Sequence, residues 1–231
     1  DASGIKFPDF SSNASGDSAL APKGKTFTID MHIFPAEIKH KNQIICQMSS
    51  PGVRDRGFVL ALSDSNDSTS NSAIIFSAVS GSATITASGS LNKGSWQRVV
   101  ATYDRRTSEH NLKLYINETL EDAVFSIGSG SSIQTGSIAD TDSTVRYFTP
   151  HQTFSGSIEE FRFFHSLRSS DEQTKDKITN IYPDNVNNLK LYFKFNEPTG
   201  SHGLERVVLD SSGNSLHIYI ELFRFLYIEL S

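Results

Sequence analysis

The chain has 231 residues, 37% of them hydrophobic and 20% charged, and carries a net charge of −5 at pH 7. That length accommodates one sizeable sandwich or barrel, or one domain with a fragment of another. The acidic balance and the lack of any basic patch beyond Lys39–Lys41 and Arg105–Arg106 argue against nucleic-acid binding, and no apolar run of about 18 residues offers a membrane span. Its one cysteine, Cys46, excludes an internal disulfide and a cysteine-built zinc site; lying in the run Ile44-Ile45-Cys46, it reads as a buried thiol. The chain starts at Asp1 without methionine or signal peptide, which reads as a processed product or an excerpt of a longer protein.

Strand signals begin at Lys25–Phe34, where Phe27, Ile29, Met31 and Ile33 alternate with Thr26, Thr28, Asp30 and His32. Period two is the signature of a half-buried strand. Gln43–Met48 and Gly57–Leu62 read as two more strands around the turn-rich stretch SSPGVRDR. Ser63–Ser72 is wholly polar and reads as an exposed loop, followed by a hairpin of Ala73–Val79 and Ala83–Ala87 around Ser80-Gly81. Trp96–Tyr103 and Asn111–Asn117 form another pair, Ser126–Ser132 is Gly/Ser loop, and Ser155–Phe164 is a late strand. The one helix signal is Ser169–Ile181. It opens on Ser169-Ser170-Asp171-Glu172, a cap with acidic first-turn residues, and stops at Tyr182-Pro183. Many short strands and one helix predict an all-β, antiparallel two-sheet sandwich.

Four segments, in order, resemble the laminin-G-like/concanavalin A-like jelly-roll family: Thr26–Pro35; Gly94–Asp104 (GSWQRVVATYD); Leu112–Asn117 (LKLYIN); and Phe154–Phe164 (FSGSIEEFRFF) with the short helix after it. The resemblance covers about Ile5 to Pro183. Domain 1–183 is therefore expected to be one such sandwich. In 184–231, LKLYFKFNEPTG and VVLDSSGNSLH resemble the opening of a second module or a strand-exchanging tail. The apolar near-repeat IYIEL/LYIEL in Ile218–Leu230 would need to pair with a sheet or with a neighbouring chain. Trp96 is expected to fill the core, with a sugar-stacking platform as the alternative, and Val99, Ala101 and Tyr103 should face inward while Arg98, Val100 and Thr102 face out.

No catalytic constellation appears. Glycosidases of this fold carry paired carboxylates that flank one bond. Glu118 with Glu121-Asp122 is the nearest cluster, and Glu159-Glu160, being adjacent, should face opposite sides of a strand. The seven histidines are scattered, so no enzyme is expected. The resemblance implies a structural Ca2+ held by Glu159, on the late strand, together with Asp17; a second acidic loop, Asp140–Ser143, offers oxygen ligands too. Rim-loop residues Asp64 and Asn66, which could bind hydroxyls, and Tyr147, Phe148 and His151, which could stack on a sugar, are the ligand candidates. The resemblance implies a non-catalytic binding or adhesion module for a glycan or protein, extracellular or on a virion or cell surface. The alternative is a structural part of a large assembly, contacting neighbouring subunits through its C-terminal segment.

Overall fold

The computed structural model describes residues 5–6, 20, 26–37, 43–50, 53–63, 68–80, 83–106, 109–127, 152–178, 181, 188–196, 207–216, 218–219 and 228–230. Their strands are β1 (Ile5–Lys6), β2 (Phe27–Pro35), β3 (Gln43–Ser50), β4 (Val53–Ser63), β5 (Asn71–Ser80), β6 (Ala83–Asn92), β7 (Gln97–Arg106), β8 (Glu109–Ile116), β9 (Thr119–Ile127), β10 (Gln152–Thr153), β11 (Gly156–Phe164), β12 (Leu189–Phe193), β13 (Val207–Val208), β14 (Ile218–Tyr219) and β15 (Ile228–Leu230). The helix α1 spans Ser170–Ile178. The result is the predicted antiparallel jelly-roll sandwich. One sheet runs β1-β15-β3-β4-β5-β6, with β10 also on β3, and the other runs β12-β11-β2-β7-β8-β9. Three short edge pairings, β1–β15, β15–β3 and β10–β3, are parallel.

The inward phase of each strand builds the core. Phe27 lies 4.6 Å from Phe58, 5.3 Å from Tyr103 and 5.7 Å from Phe163, ring centre to ring centre, so aromatics from both sheets meet at one point. Offset and edge contacts of this kind add roughly 0.5–1.5 kcal/mol each beyond area burial. Cys46 is fully buried, as expected, and burial pushes its thiol pKa up.

Several elements depart from the sequence expectation for physical reasons. SSPGVRDR is not a long turn: β3 continues to Ser50 and pairs it with Val53 of β4. β9 carries no strong apolar alternation, because Glu121-Asp122 interrupt it. It forms as the last strand of its sheet, where Asp122 accepts a bond from Ser88 N (2.9 Å) on β6 of the opposite sheet. It joins β8 through Asn117 and Glu118, whose φ values of 48° and 65° are those of a type I′ hairpin. Glycine is preferred at the second of these positions, and Glu118 is held there by ion pairs to Arg98 (3.6 Å) and Lys177 (3.0 Å).

α1 follows its sequence signal closely. The Ser169 hydroxyl accepts from Glu172 N (3.3 Å), and the Glu172 carboxylate accepts from Ser169 N (2.8 Å), a capping box. Beyond α1, β12 is hydrogen-bonded to β11, with Phe161 and Phe193 stacked. The Asp210 carboxylate fastens the following segment by accepting from Tyr192 N (3.0 Å) and Ser212 N (2.9 Å). The apolar terminal strand β15 lies between β1 and β3.

Candidate functional site

Period-two alternation puts Thr28, Asp30 and His32 of β2, Arg98, Val100 and Thr102 of β7 and Arg162 of β11 on the outer face of the six-stranded sheet. Arg98, Val100 and Thr102 face outward as expected, yet they are buried there. Over Arg98 lies α1, whose Gln173 carbonyl accepts from Arg98 Nη1. Arg98 donates through Nε (2.9 Å) and Nη2 (2.7 Å) to the two oxygens of Asp30. Arg162 adds a contact to Asp30 (3.3 Å) and donates to the Asp176 carbonyl of α1 (3.1 Å). Asp30, Arg98 and Arg162 are 1–3% exposed, so the layer is a desolvated ionic network whose charges are matched to one another and to the helix.

Next to this layer the same face opens into a groove of about 580 Å³. β7 and β8 supply its floor: Thr102 pairs with Lys113 and Asp104 with Asn111, so these side chains and Tyr115 stand on one face. Leu167, Arg168 and the first turn of α1 form the wall. Asn111 is only 6% exposed, yet its Oδ1 has no hydrogen-bond partner among the described residues. A buried acceptor left in this state costs about 1–3 kcal/mol. Tyr115 is half-buried, and burial raises its hydroxyl pKa. Glu172 is held below the usual carboxylate range by the Ser169 N–H, assisted by the Ser169 hydroxyl and the Arg168 guanidinium.

The structure also places the residues picked from sequence. Glu159 is exposed on β11, opposite His32 of β2. Asp17, Asp64, Asn66, Tyr147, Phe148, His151 and the loop Asp140–Ser143 lie outside the described residues. Among the described residues, no three His, Cys, Asp or Glu side chains gather as metal ligands. The expectation that Glu159 and Glu160 face opposite sides fails. A bulge with Glu160 at φ 54° breaks the alternation, and the Glu160 carboxylate bonds Arg162 (2.6 Å) and the Tyr192 hydroxyl on the outer face.

The expectation for Trp96 fails as well. It is 45% exposed, its ring 5.6 Å from that of Phe34, while phenylalanines fill the core. The signal was available, since Trp96 shares the parity of Arg98 and not that of Val99. The groove residues Asn111, Lys113 and Tyr115 were missed even though they alternate within an identified strand, because nothing local marks an outward polar residue as sheltered.

A family model described as the concanavalin A-like lectin/glucanases superfamily matches residues 4–172. No curated protein matches the chain. Among solved structures, the chain is similar to a "putative carbohydrate binding protein" from Bacteroides ovatus, at 19% identity and a TM-score of 0.56, covering 94% of this chain and 54% of that one. The chain thus spans about half the length of that protein. It is also similar to the CBM40 module of the Ruminococcus gnavus IT-sialidase (16% identity, TM-score 0.46, 77% and 94% covered) and to the SAP-like pentraxin of Limulus polyphemus (15%, 0.46, 64% and 67%). At such identities the likeness is one of fold.

Proposed function

We propose that this chain, which belongs to the concanavalin A-like lectin/glucanases superfamily, is a non-catalytic carbohydrate-binding module that works outside the cell or at a virion or cell surface. The observation that carries the reading is the groove, which the unpartnered Oδ1 of Asn111, the Lys113 side chain and Tyr115 line in succession along one face of β8. Ligand sites of this kind combine an apolar surface with a few placed polar groups, and a sugar presents a C–H face to a ring and hydroxyls to the polar groups. The similar Bacteroides ovatus protein, described as carbohydrate binding, supports the same class of ligand.

At Glu172, one of the groove's two carboxylates, the surroundings favour binding over hydrolysis. A glycosidase needs one carboxyl group that keeps its proton near neutral pH. Of the two that line this groove, Asp104 and Glu172, the latter is pushed the other way by Ser169 and Arg168.

The test is a glycan array probed with the purified chain, with and without EDTA, alongside the Tyr115→Ala variant. Specific glycan binding that weakens about tenfold in the variant is expected, the loss of one well-packed ring contact. A blank array with folded protein would remove the carbohydrate reading. Binding abolished by EDTA would bring in Ca2+ at Glu159 and Asp17, and binding unaffected by EDTA would leave the groove to act without metal.

A further inference from the structure

The chemistry of the groove also bears on which sugars it accepts, an inference that rests on the carbohydrate-binding reading. We infer that the groove takes an uncharged, hydroxyl-rich sugar ring and discriminates against acidic glycans. Two devices by which proteins hold a carboxylate or sulfate, a guanidinium fork and a helix N-terminus, stand at its wall, and both are committed. Arg168 donates through Nε (2.9 Å) and Nη2 (2.8 Å) to Asp176 and through Nη1 (2.8 Å) to Glu172, so neither edge of its guanidinium fork is left for a bidentate anion. The N-terminus of α1 is a second potential anion site. It is closed by the capping box, with Glu172 accepting from both Ser169 N (2.8 Å) and Ser169 Oγ (2.9 Å), and its first turn carries Asp171 and Glu172.

What remains open asks for the opposite chemistry. Lys113 is the one lining cation without an ion-pair partner among the described residues, and it stands in a groove that it shares with Asp104 and Glu172. The charged side chains of the lining, Lys113 and Arg168 against Asp104 and Glu172, cancel formally and offer an incoming anion no net positive charge. Asn111 Oδ1, sheltered and unpartnered, is an acceptor and needs an O–H or N–H donor. A carboxylate or sulfate offers it none, whereas a sugar hydroxyl does. Tyr115 gives the C–H face of a pyranose a ring to rest on, and Lys113 can donate to a ring or hydroxyl oxygen.

The experiment compares neutral glycans with sialylated, uronic-acid-bearing and sulfated ones on the same array, at low and high salt, using the wild-type chain and three variants. Tyr115→Ala and Lys113→Ala alter the groove; Lys113 is partly exposed, so its variant keeps the fold even if Tyr115→Ala does not. Trp96→Ala alters the other exposed aromatic surface. The expected result is binding to neutral glycans at least about tenfold tighter than to acidic ones and insensitive to salt. That binding should weaken about tenfold in Tyr115→Ala and several-fold in Lys113→Ala, and stay unchanged in Trp96→Ala. A preference for acidic glycans, or binding that falls steeply with salt, overturns the inference and leaves the carbohydrate reading intact. Neutral-glycan binding lost in Trp96→Ala but kept in both groove variants also overturns it, moving the site to the Phe34–Trp96 surface. No binding to any glycan by folded protein removes the carbohydrate reading and this inference with it.

Discussion

Beneath α1, Asp30, Arg98 and Arg162 are buried and answer one another across three strands. On the same sheet face, where β7 pairs with β8, Asn111 is also sheltered, but among the described residues its Oδ1 has no hydrogen-bond partner and Lys113 has no ion-pair partner. The two regions hold similar residue types on similar strands. What separates them is charge and access: in the first, Asp30 offsets the buried guanidiniums inside the chain, although Arg162 Nε, like Asn111 Oδ1, has no hydrogen-bond partner among the described residues; in the second, the unpartnered oxygen lines an open groove that an outside molecule can enter. A polar residue on a sheet face thus says little about function until its partners are known.

The comparison can be broken first at the edge of the covered region. Residues 184–231 carry β12, whose Leu189, Leu191, Tyr192 and Phe193 are buried against β11 and its surroundings, with Arg162 resting 5.1 Å over the Tyr192 ring. Four large side chains at ~1.5–3 kcal/mol each amount to roughly 6–12 kcal/mol, comparable with a whole domain's stability of about 5–15 kcal/mol. A chain ending at residue 183 is therefore expected to lack a cooperative unfolding transition by circular dichroism. If it unfolds like the full chain, the segment is an addition to a self-sufficient 1–183 domain.

A smaller change tests the ionic layer directly. Asp30→Ala leaves two guanidinium groups buried against each other and should cost about 3–5 kcal/mol in urea unfolding. Replacing Asp30, Arg98 and Arg162 together with apolar residues of similar volume should recover most of that loss. Failure of the triple variant to recover would mean that the layer does more than balance its own charge, and would weaken the contrast with the groove.

The smallest effect expected is on pH dependence. Burial lowers the pKa of His165, whose Nε2 lies 2.9 Å from the Leu20 carbonyl, and of His32, both below the ordinary 6.5. The unfolded chain then binds more protons than the folded one between those depressed values and 6.5. Stability from these groups is complete above 6.5 and is lost as pH falls below it. The melting temperature should drop between pH 7 and pH 5, and His165→Gln should flatten the slope. An unchanged slope would show that carboxylates dominate acid unfolding here.

Much of this protein was determined locally. Alternation in KTFTIDMHIF, the order of the four strand motifs and the Ser169–Glu172 cap each depend on a few adjacent residues, because strand pleat and helix capping are short-range geometry. They specified the sandwich, the inward phenylalanines and the position of α1, whereas Trp96 was expected in the core although it shares the parity of the outward Arg98. The cover over the outer face was decided only by tertiary structure: Arg98 finds Asp30 from 68 residues away, and Arg162 from 132. Whether a polar group is left without a partner depends on every element packed around it. The unpaired oxygen of Asn111, and the groove it lines, therefore emerged only once helix and sheet had closed on each other.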